Sequence, residues 1–311
     1  MRIIQKNFHI EFMRHRKPAM MVSILLILVS LGSLATRQLD LGIDFTGGHL
    51  IELGFDQPAD LPLIRETLSE QGYADAQILY FGTSKDVLIR LEPRDMGKDE
   101  QAKLGDRIVD AVQTIGSDVS LRRNEFVGPN VGEELREEGG LAMLIALAAI
   151  LLYVALRFEF RFALGSVAAL THDVIIVLGL FSLFRFEFDL SVLAAVLAVI
   201  GYSLNDTIVV FDRIRENFRK LRKGTPEQVI NTSLNQTLAR TLMTSLTTLL
   251  VLSALFVFGG EVLRNFSLAL IVGVLIGTYS SIYVATTTAL SLGVSKQDLM
   301  PVQKEGVDDL P

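Results

Sequence analysis

The chain has 311 residues, half of them apolar and 21% charged, with a formal net charge of −6 and no cysteine. A mean hydropathy of +0.41 beside a full charged quota means that apolar and charged residues are segregated along the chain, not mixed as in one soluble domain. The apolar content excludes disorder, the acidic balance excludes a basic nucleic-acid binder, and the lack of a Gly period and of Cys excludes collagen-like repeats, disulfide scaffolds and thiol chemistry.

A polar arm with Arg2, Lys6, Arg14, Arg16 and Lys17 precedes the first apolar run, Pro18 to Ala35. A basic start followed by Ser33-Leu34-Ala35 has the outline of a secretory signal. The run is longer than a usual signal core, however, and a retained membrane anchor is expected. Five more runs follow: Leu141 to Leu156, Phe162 to Phe184, Leu190 to Phe211, Leu242 to Phe258 and Phe266 to Leu292. Each approaches the roughly 18–20 residues that cross a hydrocarbon core of about 30 Å.

Between the first and second runs, residues 37–138 carry 11 Lys or Arg and 21 Asp or Glu, a net charge of 11 − 21 = −10. This is a solvated insert. Alternation at Leu50 to Phe55 predicts a strand, and Asp60 opens a helical pattern ending near Gly72. Ala76 to Phe81 and Val87 to Leu91 read as strands around a Gly82-Thr83-Ser84-Lys85-Asp86 turn, followed by a helix from about Asp99 to Ile115 and a strand from Val119 to Val127. The order βαββαβ is that of a ferredoxin-like α+β unit.

Short-loop cations set orientation. The N-terminal arm, Arg157 with Arg161, and the run RIRENFRKLRK from Arg213 to Lys223 all fall on one side, expected to be the cytoplasm; the acidic insert lies outside. The predicted organisation is an arm with the first helix (1–36), the outer domain and lead-in to helix 2 (37–138), and a five-helix bundle (139–295) with a basic cytoplasmic loop at 212–241. A cytoplasmic tail (296–311) is expected to lack order. Thr225-Pro226-Glu227-Gln228 reads as a capping box opening a short helix into the fifth span.

Ionisable residues inside apolar runs are the informative ones, because each costs several kcal/mol unless paired, hydrated or functional. The fourth run holds Ser203, Asn205, Asp206 and Thr207, with Asp206 about one and a half turns from the end of the run. The third holds His172 and Asp173 near its middle. A carboxylate whose proton affinity is raised by burial and lowered by a cation can exchange protons near neutral pH, so these residues outline a proton path. The alternative for His172 and Asp173 is a hydrogen-bonded pair joining helices. Arg240, before the fifth run, is either the cation of that path or a topological anchor. Gly273 and Gly277 mark close helix approach. No nucleophile elbow, phosphate loop, dinucleotide fingerprint or zinc motif occurs, so no enzyme activity, metal or cofactor is expected.

The segments Gly42-Ile43-Asp44-Phe45-Thr46-Gly47-Gly48, Val127 to Gly132, Thr171-His172-Asp173, GYSLNDTIVVFDRIREN from Gly201 to Asn217, and Gln236 to Ser245 closely resemble the SecF members of the bacterial SecD/SecF protein-export family, relatives of the resistance-nodulation-division transporters. The likeness runs through nearly the whole chain up to about Ser295. It implies a multi-pass inner-membrane protein with a periplasmic domain and both termini in the cytoplasm. It also implies pairing with SecD and work beside the SecYEG channel on unfolded preproteins, driven by the proton-motive force. By that resemblance Asp206 and Arg240 form the proton-coupling pair. A proton-coupled small-molecule exporter and a passive membrane scaffold are the alternatives. Lipid contact is expected, and nucleic acid is not.

Overall fold

The computed structural model describes residues 9–94, 96–97, 100–101, 103–115, 118–221 and 224–294. The tail at 296–311 and Arg222 and Lys223 of the basic loop lie outside the described residues. In chain order the elements are α1 (Arg16–Arg37), β1 (Asp40–Leu41), the single turn α2 (Ile43–Thr46), β2 (Gly48–Phe55), α3 (Leu61–Glu70), β3 (Gln77–Phe81), β4 (Thr83–Leu91), α4 (Leu104–Gln113) and β5 (Val119–Val127). There follow α5 (Pro129–Arg157), α6 (Phe160–Phe184), β6 (Glu187–Phe188), α7 (Leu190–Lys220), α8 (Pro226–Phe258) and α9 (Gly260–Ser280), which continues through a π-turn (Ser281–Ala285) into α10 (Thr286–Ser291).

Six helices among the described residues are long and apolar enough to cross a membrane: α1, α5, α6, α7, α8 and the α9–α10 rod, called here the first to sixth spans. The third, fourth and sixth bury 50%, 56% and 44% of their most apolar stretch inside the protein, against under a fifth for the other three. They form the centre, and the first, second and fifth present Leu, Ile and Val side chains outward.

Four of the spans extend further than hydropathy indicates. The fourth helix continues past Phe211 to Lys220, and the second begins at Pro129, twelve residues before its apolar run. The expected short helix after Thr225 is no separate element: the Thr225–Gln228 capping box starts one unbroken helix to Phe258. The sixth runs from Gly260, ahead of Phe266. Backbone hydrogen bonding carries these helices beyond the lipid-like stretch, because Glu, Arg, Gln and Lys are good helix formers even where they end an apolar run.

The outer domain is a four-stranded antiparallel sheet in the order β3-β4-β2-β5, the ferredoxin-like arrangement with the first and third strands central. Ile51, Leu53, Val87, Ile89 and Ile78 point from one face into a core closed by Ile64 and Leu68 of α3 and by Leu104, Ile108 and Val112 of α4. The Asp60 side chain caps α3 by accepting from the Leu63 amide at 3.2 Å. The expected five-residue turn before Val87 is shorter: Gly82 alone bends the chain at φ +77° and strand pairing resumes at Thr83, with a register shift at Tyr80/Phe81.

Candidate functional site

Asp206 and Asp173 reach the bundle centre because each lies on the buried stripe of its helix. In the fourth span that stripe is Val196, Val199, Ser203, Asp206, Val210, Ile214 and Asn217, at three- and four-residue spacing; in the third it is Phe162, Ser166, Ala169, Asp173 and Ile176. Asp206 is 7% exposed, Asp173 and His172 1% each.

Each carboxylate is held by hydroxyl donors. For Asp206, the Thr241 hydroxyl of the fifth span donates to Oδ1 at 2.8 Å and the Ser281 hydroxyl of the sixth donates to Oδ2 at 2.6 Å. For Asp173, Ser203 and Ser280 donate to Oδ2 at 2.5 and 2.7 Å, and Nδ1 of His172 lies 2.8 Å from Oδ1. The other ring nitrogen of His172 is buried with no hydrogen-bond partner among the described residues, and its ring faces Tyr279 at 6.1 Å. Arg240 is exposed on the fifth span, and no ion pair joins it to Asp206 among the described residues.

Glycines make these approaches possible. A Cβ at Gly277 would sit 3.0 Å from the Ser203 Cβ, and one at Gly165 would sit 2.7 Å from the Ala285 carbonyl oxygen of the π-turn. Gly273 likewise faces Val199 of the fourth span, so both glycines of the sixth-span pair are used inside this bundle. Of the residues expected to support the polar patch, Ser203 is in the network. Thr207 is buried with no partner for its hydroxyl among the described residues, and Asn205 is exposed and makes none of the described hydrogen bonds.

The sixth span is where everything meets. Thr278 shares a hydrogen bond with Ser245 of the fifth span at 2.7 Å, and the Tyr279 hydroxyl donates to the Ala19 carbonyl of the first at 2.7 Å. Ser280 reaches the third span and Ser281 the fourth. Four successive residues thus bond four different helices, as side chains spaced about 100° apart around an axis allow. Sequence reading misses these donors and gives Thr241, Thr278, Tyr279, Ser280 and Ser281 no place in the polar patch. The signal was present: Thr278-Tyr279-Ser280-Ser281 is a run of polar residues within an apolar stretch, like Ser203 to Thr207.

A second cluster joins the outer domain to the bundle. β1 and β6 form a two-residue parallel bridge, and Arg90 of β4 ion-pairs with Glu187 of β6 and, at 3.9 Å, with Asp40 of β1. Burial pushes the Glu187 carboxyl above its usual range, and Arg90 pulls it part of the way back. Asp44 accepts from the Leu190 amide at 3.1 Å, at the positive N-terminus of the fourth span. Gly47 and Gly48 take φ of +70° and +123°; a Cβ at Gly48 would strike the Leu91 carbonyl oxygen, and one at Gly132 of the second span would sit 2.6 Å from the Gly47 nitrogen. The Gly-Gly turn is therefore the junction of first span, sheet and second span. Beside it a cavity of about 410 Å³ lies between the open face of the sheet and the loop of the third and fourth spans, bordered by Arg90, Arg123, Glu125, Glu187 and Asp189. Among the described residues no group of three or more His, Cys, Asp or Glu is placed to hold a metal ion.

Residues 107–295 match the family model of the SecD/SecF protein export membrane protein C-terminal region, and residues 32–59 match that of the SecD/SecF GG motif. A protein translocase subunit SecF from Vibrio alginolyticus is 53% identical over 99% of both chains. The SecF of Pseudomonas aeruginosa is 52% identical over 97% of this chain and 98% of its own. Among solved structures, a crystal structure of SecDF, a translocon-associated membrane protein from Thermus thermophilus, superposes with a TM-score of 0.83 at 38% identity over 94% of this chain. SecDF in a super-membrane-facing form gives 0.68 at 37% identity and the same coverage. This chain spans 39% of those two longer chains.

Proposed function

As the chain belongs to the SecD/SecF family of protein export membrane proteins, we propose that it is a multi-pass inner-membrane subunit that assists Sec-dependent protein export, paired with a SecD subunit and driven by the proton-motive force. The chain supplies the SecF portion of the assembly and SecD the remainder. Its substrates are unfolded preproteins leaving the SecYEG channel on the periplasmic side, where the ferredoxin-like domain lies; both termini are cytoplasmic, and lipid surrounds the outward-facing spans. The chain is a coupling subunit, not an enzyme.

One observation carries this reading. Asp206 is a carboxylate in the centre of an apolar bundle, held on both oxygens by hydroxyls from two other spans and within reach of the charge of Arg240. An ionised group in such a place is unfavourable by several kcal/mol unless its charge state is used. Taking up a proton removes the attraction to Arg240 and turns one acceptor oxygen into a donor, so Thr241 and Ser281 can no longer both donate as they do. That is a two-state element that a proton gradient can bias. Asp173 with His172, held by the same sixth span, is the second station of the pathway.

The test is preprotein release from energised vesicles containing the complete translocase. Asp206→Asn is expected to abolish gradient-dependent release while still assembling with its partner. Undiminished gradient dependence in an assembled variant sinks the reading. The small-molecule exporter draws on the cavity of about 410 Å³ at the domain junction; filling it with Leu88→Trp should then block export of a small solute and leave preprotein release intact.

A further inference from the structure

Asp206 and Asp173 sit on different helices, yet the hydroxyls that hold them come from neighbouring residues of a third. Ser281 donates to Asp206 and Ser280 to Asp173. The helix changes its winding at this point, since the π-turn begins at Ser281 and ends at Ala285, whose carbonyl is seated against Gly165 of the third span. A π-turn is a local excess of one residue in an α-helix, uncommon and found mostly at functional sites.

Both serines also have a second acceptor on their own helix. The Ser281 hydroxyl is 3.0 Å from the Thr278 carbonyl oxygen, and that of Ser280 is 3.1 Å from the Gly277 carbonyl oxygen. Each hydroxyl carries one hydrogen, so it satisfies either the carboxylate or its own backbone at full strength. Serine bonded back to its own helix also bends that helix.

We propose that Ser280 and Ser281 are positioning residues that link the two carboxylates through the π-turn, an inference that rests on Asp206 being the proton-coupling group. When a proton from the gradient binds Oδ2 of Asp206, the new O–H donates to Ser281 Oγ and the Ser281 hydrogen turns to the Thr278 carbonyl. No bond other than these hydrogen bonds is made or broken. The change in backbonding at Ser281 alters the turn that also carries Ser280, so Asp173 loses or regains the Ser280 donor, one of those that hold it, in step with the charge on Asp206. Arg240 from the fifth span, Tyr202 on the fourth, His172 and Asp173 on the third, and Tyr279 and Tyr283 on the sixth are the other charged or titratable groups around this centre.

The discriminating measurement is the pH profile of gradient-dependent preprotein release by the complete complex, with assembly scored by co-purification. Ser281→Ala removes a hydrogen bond to the charged carboxylate and should displace the midpoint of the profile by one pH unit or more, a tenfold change in proton affinity. Ser280→Ala, whose hydroxyl does not touch Asp206, should displace the same midpoint in the same direction. The double variant should go no further than the larger single one, and Ser281→Thr should restore the wild-type profile. If either alanine variant fails to assemble, Ser281→Cys and Ser280→Cys, which keep the volume and weaken the donor, take its place under the same criteria. A midpoint indifferent to Ser280, or effects of the two serines that add in full, overturns the link. Asp206→Asn separates the two levels: gradient dependence retained there removes the coupling reading and the link with it, whereas gradient dependence lost there with independent serine effects removes the link alone.

Discussion

Arg90, on a central strand of the outer sheet, forms an ion pair with Glu187, in the loop between the third and fourth spans. The two side chains are 10% and 19% exposed, so the pair is largely out of water, and removing one partner strands the other. Breaking such a pair typically costs about 3–5 kcal/mol. Arg90→Met should therefore loosen the domain from the bundle. The reporter is the Gly42 amide, which donates to the Phe188 carbonyl at 2.9 Å across the β1–β6 bridge; its hydrogen exchange should accelerate at least a hundredfold, and an unchanged rate would show that the ion pair does not fasten the domain.

The same pair gives docking a pH dependence. Burial raises Glu187 above its ordinary value of 4.5, and Arg90 opposes this. The docked state therefore holds the proton more firmly than the undocked one, and this contribution is complete below pH 4.5 and lost as pH rises through the raised value. Protection of the Gly42 amide, corrected for intrinsic exchange, should fall between pH 4.5 and neutrality. The fall should steepen in Arg90→Met and vanish in Glu187→Gln.

His49 acts on the outer domain in the opposite direction. Its ring is fully buried, 4.4 Å from that of Phe126, and neither nitrogen has a hydrogen-bond partner among the described residues. Burial holds its pKa below 6.5. A depressed histidine contributes stability that is present above pH 6.5 and is lost as pH falls through the folded value. Amides of the central strand at Ile51 should lose protection on acidification from pH 6.5, and His49→Phe should remove that loss without altering the Gly42 response.

The Gly-Gly turn should tolerate no side chain at its second position. Gly48→Ala combines a left-handed backbone with a collision against the Leu91 carbonyl, and strain of this kind costs about 1–3 kcal/mol. Gly72→Ala, at φ +87° with nothing within 4 Å of the added carbon, carries the backbone strain alone. Thermal unfolding of the detergent-solubilised protein should show Gly48→Ala as the more damaging of the two.

No ion pair or hydrogen bond joins Arg240 to Asp206 among the described residues, so a coupling between them would work by charge at a distance and the usual objection to replacing arginine with lysine does not apply. Arg240→Lys should keep gradient-driven release within about threefold of wild type, while Arg240→Gln, at about 1.4 kcal/mol for each tenfold, should lose at least that factor. Equal losses in both would mean that guanidinium geometry matters in another state of the cycle.

What could be read beforehand follows from how each element signals itself. The strand Val119–Val127 has the bounds its pattern indicates, and Asp60 caps the helix it announces. The helices run past their apolar runs to Pro129 and Lys220 because hydropathy reports solubility in lipid, while the helix continues wherever its backbone can pair. At the centre the carboxylates were conspicuous as charges in apolar runs, whereas their donors were not. Ser280, Ser281 and Thr241 are uncharged and small, and serine in an apolar helix reads as packing until its partner is known. The Arg90–Glu187 pair joins residues 97 positions apart by a contact no local pattern encodes.

The placement of Thr278, Tyr279, Ser280 and Ser281 has a consequence for biogenesis. These four residues, bonded to the fifth, first, third and fourth spans, belong to the sixth of the described spans in chain order. Until the ribosome has released it, Asp173 and Asp206 wait in the nascent bundle short of a donor each, and the earlier spans have no common partner. The sixth span is the keystone, so its arrival both closes the bundle and relieves the buried acids, and a chain cut before Thr278 would present a quality-control protease with two carboxylates in the bilayer that each lack one donor.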